Sequence, residues 1–209
     1  DQWPWRFSLQ VPRFDPREEL LPDSGFHSLA ASLSGEGSLQ AGLMRGEVVI
    51  DDEPLQFDAL RFERDEQAIS IDALLRVAQT AGEFHADARI DLTHEPWSTQ
   101  ADANWSEVIV PAVWAGQELH TRGRLTFSGS PQQFSARGAV SLGPPGRIAD
   151  LELDLSGSPE RLQLTQFDIV QKEGRLAANG RLDLQPRVRW DVQAHATRFD
   201  PGAFAAAWR

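Results

Sequence analysis

The stretch Gly82-Glu-Phe-His-Ala-Asp-Ala-Arg-Ile-Asp-Leu92 alternates apolar and polar residues, and the same pattern returns as Gly174-Arg-Leu-Ala-Ala-Asn-Gly-Arg-Leu-Asp-Leu184. Alternation with a period of two places one set of side chains on each face of a β-strand. We therefore expect half-buried strands. Their recurrence indicates an array of similar units rather than one enclosed globule.

Two further repeats support an array. Residues 5–16, WRFSLQVPRFDP, match residues 190–201, WDVQAHATRFDP, position for position in their spacing. Residues 125–131, LTFSGSP, match residues 153–159, LDLSGSP, as the end of a strand followed by the same turn. Because a repeat array has no fixed domain size, we interpret residues 1–209 as one continuous segment of a longer repeat protein, with junctions near 13–22 and 198–208.

Alternation also predicts strands over residues 119–127, 134–142, 151–155, 162–169, 176–184 and 188–196, separated by Gly-, Pro- and Asp-containing turns. The pattern slips by one residue in Leu55-Gln-Phe-Asp-Ala-Leu-Arg-Phe62, which predicts a β-bulge. Short helices are expected at the two junctions, where Asp15-Pro16 and Asp200-Pro201 supply a cap and a first helical residue. The first would cover Arg17–Leu21 and end at Pro22, and the second would cover Ala203–Trp208.

Small residues occupy many mid-strand apolar positions, among them Ala86, Gly123, Gly138, Ala178 and Ala194. They permit either a tightly coiled or closely layered sheet, or an open apolar trough along its concave side. A sheet of roughly twelve to fourteen strands would make such a trough on the order of 60 Å long. An open apolar surface of that length is typical of a site for protein, membrane or lipid.

Composition excludes several classes of function. The net charge of -11 argues against a nucleic-acid partner. The absence of cysteine excludes disulfides and thiolate metal sites. The five histidines share no ligand spacing, and three of them, His85, His120 and His195, are expected on the polar face. The chain has no apolar run of membrane-spanning length. We predict no metal and no cofactor.

No catalytic constellation emerges either. The carboxylates Asp168, Asp183 and Asp191 have no spacing that singles out an acid/base pair. The Asp51-Asp52-Glu53 run lacks the pattern of a calcium loop. Trp5 and Trp190 hold equivalent positions in the repeat, which favours a structural role over a sugar-binding platform. We therefore predict that the protein is not an enzyme.

The chain resembles the TamB family (translocation and assembly module inner-membrane subunit) of the AsmA-like superfamily. Three segments carry the likeness: VRWDVQAHATRFDP at 188–201, GRLAANGRLDL at 174–184, and PAVWAGQ at 111–117 leading to TRGRL at 121–125. The resemblance implies an all-β, elongated, U-shaped (taco-like) sheet with an apolar concave interior. It also implies a periplasmic protein anchored in the inner membrane of a Gram-negative bacterium. Its implied roles are phospholipid transport and outer-membrane biogenesis together with the outer-membrane barrel TamA.

Our first hypothesis is a conduit that carries phospholipid acyl chains between the two membranes. The residues predicted to line it share the apolar strand face and are Phe84, Ala86, Ala88, Ile90, Leu125, Phe127, Phe134, Ala136, Val140, Leu153, Leu164, Leu176, Ala178, Leu182 and Val192. An alternative is a chaperone-like scaffold for outer-membrane protein strands, which would bind by strand addition with TamA and serve protein translocation. A third possibility is a β-protein that binds or hydrolyses carbohydrate with its Trp and Asp residues, and titration with oligosaccharides would test it.

Overall fold

A computed structural model describes residues 3–19, 27–77, 82–185 and 187–203. These residues form thirteen strands in a single sheet. The strands are β1 (Trp5–Phe14), β2 (Leu29–Gly37), β3 (Ala41–Ile50), β4 (Glu53–Arg64), β5 (Ala68–Val77), β6 (Glu83–Asp91), β7 (Ser98–Val110), β8 (Leu119–Gly129), β9 (Phe134–Gly143), β10 (Ala149–Ser158), β11 (Arg161–Val170), β12 (Arg175–Asp183) and β13 (Arg189–Thr197).

The order of strands in the sheet is their order in the chain, from β1 to β13, and each strand is antiparallel to its neighbours. In the described part of the chain, every pair of elements in extensive contact is a pair of consecutive strands. The layer is open and curled, as the taco-like prediction requires. The alternating sequence explains this arrangement, because each strand can bury one face only when its neighbours extend the same face.

The predicted strands from residue 119 onward are confirmed as β8 to β13. The predicted bulge is also confirmed, since the β4–β5 register shifts between Phe57 and Ala59. The β7–β8 register shifts between Trp105 and Val108, and the β11–β12 register shifts between Leu164 and Phe167. At each of these places two inward apolar residues stand three positions apart: Phe57 and Leu60, Trp105 and Val108, and Leu164 and Phe167. The extra residue therefore returns the next apolar side chain to the same face.

Three short helices lie at one rim of the sheet: α1 (Pro16–Glu19), α2 (Ala112–Ala115) and a 3-10 helix (Pro201–Ala203). The predicted caps are present, because Asp15 Oδ1 accepts from Arg17 N at 2.9 Å and Asp200 Oδ1 accepts from Gly202 N at 2.9 Å. The predicted continuations over residues 20–22 and 204–208 lie outside the described residues.

Helix α2 was not predicted, and it shows that the repeat is shorter than the distance between the two predicted junctions. The helices follow β1, β7 and β13, so they recur every six strands. Pro111 precedes α2, and Gly116 ends it in a left-handed conformation with φ 73°. The sheet is thus built of six-strand units, each closed by a helix that a proline introduces.

Candidate functional site: the inner apolar face

Three unbroken rows of apolar or glycine residues cross all the strands on one face, which we call the inner face. Each row takes one residue from every strand, and consecutive members are register partners. The rows run from Trp5 to Val192, from Phe7 to Ala194 and from Leu9 to Ala196. Twelve steps between strands give the rows a length of roughly 58 Å, and the outer two lie about 14 Å apart.

Polar side chains are rare on the inner face. Among the described residues between Ala68 and Ala196, the register assigns only two polar side chains to it, those of Thr99 and Thr121. The hydroxyl of Thr121 accepts the indole N–H of Trp105 at 3.0 Å. On the edge strand β1, the indole N–H of Trp5 donates to the Ser38 carbonyl at 2.8 Å. The two indole N–H groups are therefore hydrogen-bonded within an otherwise apolar surface.

Every residue predicted to line the groove lies on the inner face. Twelve of them stand in the three complete rows. Ile90, Phe134 and Leu182 belong to a fourth, shorter row toward the rim opposite the helices. The register thus brings the predicted residues together on one surface, while their contact with lipid stays a prediction.

No second layer covers this face within the described part of the chain, so its large side chains remain partly exposed. Phe7, Leu9 and Leu125 expose 37%, 47% and 38% of their surface, and Trp190 exposes 78%. The buried apolar residues are few, and most are alanine: Ala59, Ala68, Leu119, Ala149 and Ile169. A continuous apolar surface of this size that stays open to water is typical of a binding surface.

The glycines of the inner face do not leave the open space that small residues suggested. A Cβ atom on Gly123 would lie 2.6 Å from Cζ2 of Trp105, and one on Gly138 would lie 3.0 Å from Cδ1 of Leu125. Neighbouring side chains already fill these positions, so this part of the expectation is wrong. The reason is that a large side chain on one strand leans across the next strand wherever glycine offers no Cβ.

Aromatic rings use these glycine positions to meet across several strands. Trp5 on β1 and Phe62 on β4 stack with centroids 6.3 Å apart and an interplanar angle of 5°, above Gly37 and Gly42. Phe84 and Trp105 stack at 6.0 Å. The rings therefore cover the glycine positions, and the inner face is a continuous surface there.

In the middle of the sheet, alanines on neighbouring strands form a patch of small side chains. Ala86 stands between Ala73 and Ala103 in one row, and Ala88 faces Ala101 in the next. These alanines lie beside the stacked rings of Phe84 and Trp105. The surface of the inner face is therefore lower at the alanines than at the rings.

The opposite, outer face is a ladder of ion pairs between neighbouring strands. Arg175 binds Asp168 at 2.6 Å and Arg161 binds Asp183 at 2.8 Å. These hydrogen bonds hold the pKa of each carboxyl below its usual value. The pairing also shows that these two carboxylates, considered above as catalytic candidates, bind arginines. The third, Asp191, lies opposite Arg181 on β12.

The structure separates the tryptophans that the repeat made equivalent. Trp5 is packed and hydrogen-bonded, as a structural role predicts, but Trp190 is the most exposed large apolar residue of those described. His85, His120 and His195 fall on the outer face, as predicted. The described residues hold no cluster of three His, Cys, Asp or Glu side chains arranged for a metal ion.

Comparison with known proteins places this sheet in a family. Residues 49–209 match the family model described as TamB, N-terminal domain. Neither a curated protein nor a solved structure gives a significant match. No helix in the described part of the chain has the length and apolarity that a membrane crossing requires.

Proposed function

The chain belongs to the TamB family, and we propose that its inner face is a conduit for phospholipid acyl chains between the inner and outer membranes. Members of this family take part in outer-membrane assembly as non-enzymatic components. They associate with TamA in the translocation and assembly module, and they span the periplasm from an inner-membrane anchor. A conduit is the form of participation that the inner face supports best.

The observation that carries the proposal is the continuity of the three apolar rows. An acyl chain lying along a row would meet apolar side chains or glycine at every strand. Each methylene that it buries would contribute about 0.8 kcal/mol. Because one step resembles the next, a chain could advance without a large barrier.

The distribution of charge supports a position of the headgroup at the rims. The rows hold no charged side chain, whereas the turns that end the strands carry groups such as Asp52, Asp65 and Asp91. Burial of a charged headgroup among the rows would cost far more than an acyl chain gains there. The headgroup therefore stays in water while the acyl chains occupy the inner face.

Adjacent residues of β12 provide the test. Ala178 lies on the inner face between Phe167 and Ala194, and Asn179 lies on the outer face opposite Gln193. A photo-crosslinking amino acid would be placed at each position in the full-length protein in cells. Mass spectrometry would then identify the adducts.

We expect phospholipid adducts at 178 and none at 179. Polypeptide adducts at 178 would instead support a scaffold for protein strands. Equal lipid labelling at both positions, or none at 178, would count against the conduit.

A further inference from the structure

The inner positions of β4 carry opposite charges at the two ends of the strand. Glu53 stands two residues before Leu55 at the rim that carries the helices, and Arg64 stands two residues after Phe62 at the opposite rim. Because side chains on a strand alternate, both charged residues fall on the inner face, with the three apolar rows between them. An amphiphile with an anionic group would therefore be repelled at one end of β4 and attracted at the other.

Arg64 differs from the arginines of the later strands in its position on the sheet. Its register partner is Ile69, which is followed by Ile90 in the fourth apolar row. The arginines of β5 to β13 fall on outer positions, and most of them bind a carboxylate there. Arg64 is exposed, and its side chain has no hydrogen-bond or ion-pair partner in the described part of the chain. Its guanidinium group is thus available to a ligand on the inner face.

The surface beside Arg64 is aromatic and aliphatic. Phe62 stacks on Trp5 with ring centroids 6.3 Å apart. On β5, Ile71 is the register partner of Phe62, and Ile69 is that of Arg64. A long arginine side chain can lie over such a surface and keep its charged end in water. An apolar surface with a guanidinium group at its edge complements a phosphate ester that is joined to acyl chains.

The carboxylates around Arg64 restrict the headgroup that fits. Glu63 and Glu66 are both exposed. Asp65 is committed to the turn, because its Oδ1 accepts two backbone N–H groups at 2.7 and 2.6 Å. A headgroup with a net negative charge would be repelled by these carboxylates, whereas an ammonium group next to the phosphate would be attracted. The charges therefore favour a zwitterionic headgroup.

We infer that Arg64 binds the phosphate of a zwitterionic phospholipid whose acyl chains lie over β4 and β5 on the inner face. The inference rests on the proposed conduit and adds the residue that distinguishes a phospholipid from an uncharged lipid. In this arrangement the headgroup stands in water at the rim opposite the helices, and the acyl chains extend from that rim over the apolar rows.

Competition between lipids at a crosslinker near Arg64 tests the inference. A photo-crosslinking amino acid replaces Ile71 in the purified full-length protein. The protein is incubated in detergent micelles with equal amounts of dioleoylphosphatidylethanolamine, dioleoylphosphatidylglycerol and dioleoylglycerol, which differ only in their headgroups. Mass spectrometry then measures the ratio of the adducts. We expect the phosphatidylethanolamine adduct to exceed the dioleoylglycerol adduct roughly tenfold, as one charge-assisted hydrogen bond would produce, and to exceed the phosphatidylglycerol adduct by a smaller factor.

Substitutions at two arginines complete the test. Arg64→Gln should remove the preference over dioleoylglycerol, and Arg64→Lys, which keeps the charge, should retain most of it. Arg45→Gln is the matched control and should leave the ratios unchanged, because Arg45 lies on the outer face of β3.

The inference and the conduit can fail separately. A preference that survives in Arg64→Gln, or labelling at position 71 that is indifferent to the headgroup, would overturn the inference while the conduit stands. Adducts at position 178 with none at position 71 would have the same meaning. Absence of lipid adducts at both positions would overturn the conduit itself.

Discussion

Gly123 holds the stacked pair of Phe84 and Trp105 in place, and Gly123→Ala should disrupt it. The new Cβ would lie 2.6 Å from Cζ2 and 2.9 Å from Cη2 of the Trp105 ring, and 2.9 Å from the Ala139 carbonyl oxygen. Contacts this short force the ring to move. Since the indole N–H is bonded to Thr121 at 3.0 Å, the movement also lengthens that hydrogen bond.

The free energy of unfolding should fall by about 2 kcal/mol. Overpacking of this kind costs about 1–3 kcal/mol, and loss of the hydrogen bond costs about 1 kcal/mol. Replacement of glycine by alanine returns about 0.4–1 kcal/mol because it restricts the unfolded chain. For a chain of this size, the net loss corresponds to a Tm lower by roughly 4–8 °C.

Gly138→Ala is the matched control on the neighbouring strand. Its Cβ would lie 3.0 Å from the end of the flexible Leu125 side chain and 3.3 Å from a backbone oxygen. Because Leu125 can rotate away, we expect stability to change by less than about 1 kcal/mol.

Urea unfolding followed by circular dichroism would measure both variants, and Trp105→Phe would complete a double-mutant cycle with Gly123→Ala. Phenylalanine lacks the part of the indole ring that meets the new Cβ, so the double variant should lose less stability than the sum of the two single variants. Equal losses of stability at Gly123 and Gly138, or strict additivity in the cycle, would refute the conclusion that Gly123 makes room for the Trp105 ring.

Three other outcomes are expected. Deletion of Thr165 should remove the bulge of β11 and leave Leu164 and Phe167 two positions apart, so that Phe167 and Ile169 stay on the inner face and the circular dichroism spectrum keeps its β-sheet form; loss of that form would show that the bulge itself is needed. Ala178→Arg should abolish lipid transport without changing circular dichroism, and Asn179→Arg on the outer face should leave transport intact; unimpaired transport in the first variant would argue against the conduit. The lowered pKa values of Asp168 and Asp183 stabilise the fold above the ordinary carboxyl pKa, so Tm should hold between pH 7 and 5 and decline below about pH 4; a constant Tm down to pH 3 would show that these pairs do not matter.

The sequence predicted the strands well because alternation is itself the geometry of a strand. The inner face followed from the same signal, since each predicted lining residue belongs to the apolar half of an alternating run. The slip in residues 55–62 revealed one bulge, and the same three-residue spacing at Trp105–Val108 and Leu164–Phe167 marks the other two. That signal was present and could have been used.

The covering of the inner-face glycines by neighbouring side chains could not be predicted in this way. Gly123 leaves open space or accommodates an aromatic ring according to which residue of β7 is its register partner. The bulge at residues 106 and 107 changes that register. The helix at Ala112–Ala115 was missed for a different reason. It is too short to show a helical period, and its two sequence signals, Pro111 and Gly116, occur in turns as well.

The identity of chain order and sheet order limits how such a protein can change in length during evolution. A strand crosses from one rim to the other, and only a pair of strands returns the chain to the rim that it left. Gain or loss of a hairpin therefore keeps all later helices on their rim, whereas a single added strand would move them to the opposite side. The six-strand spacing of the helices is a multiple of two, as this rule demands. We expect relatives to differ in length by even numbers of strands, so that duplication lengthens the molecule without altering its cross-section.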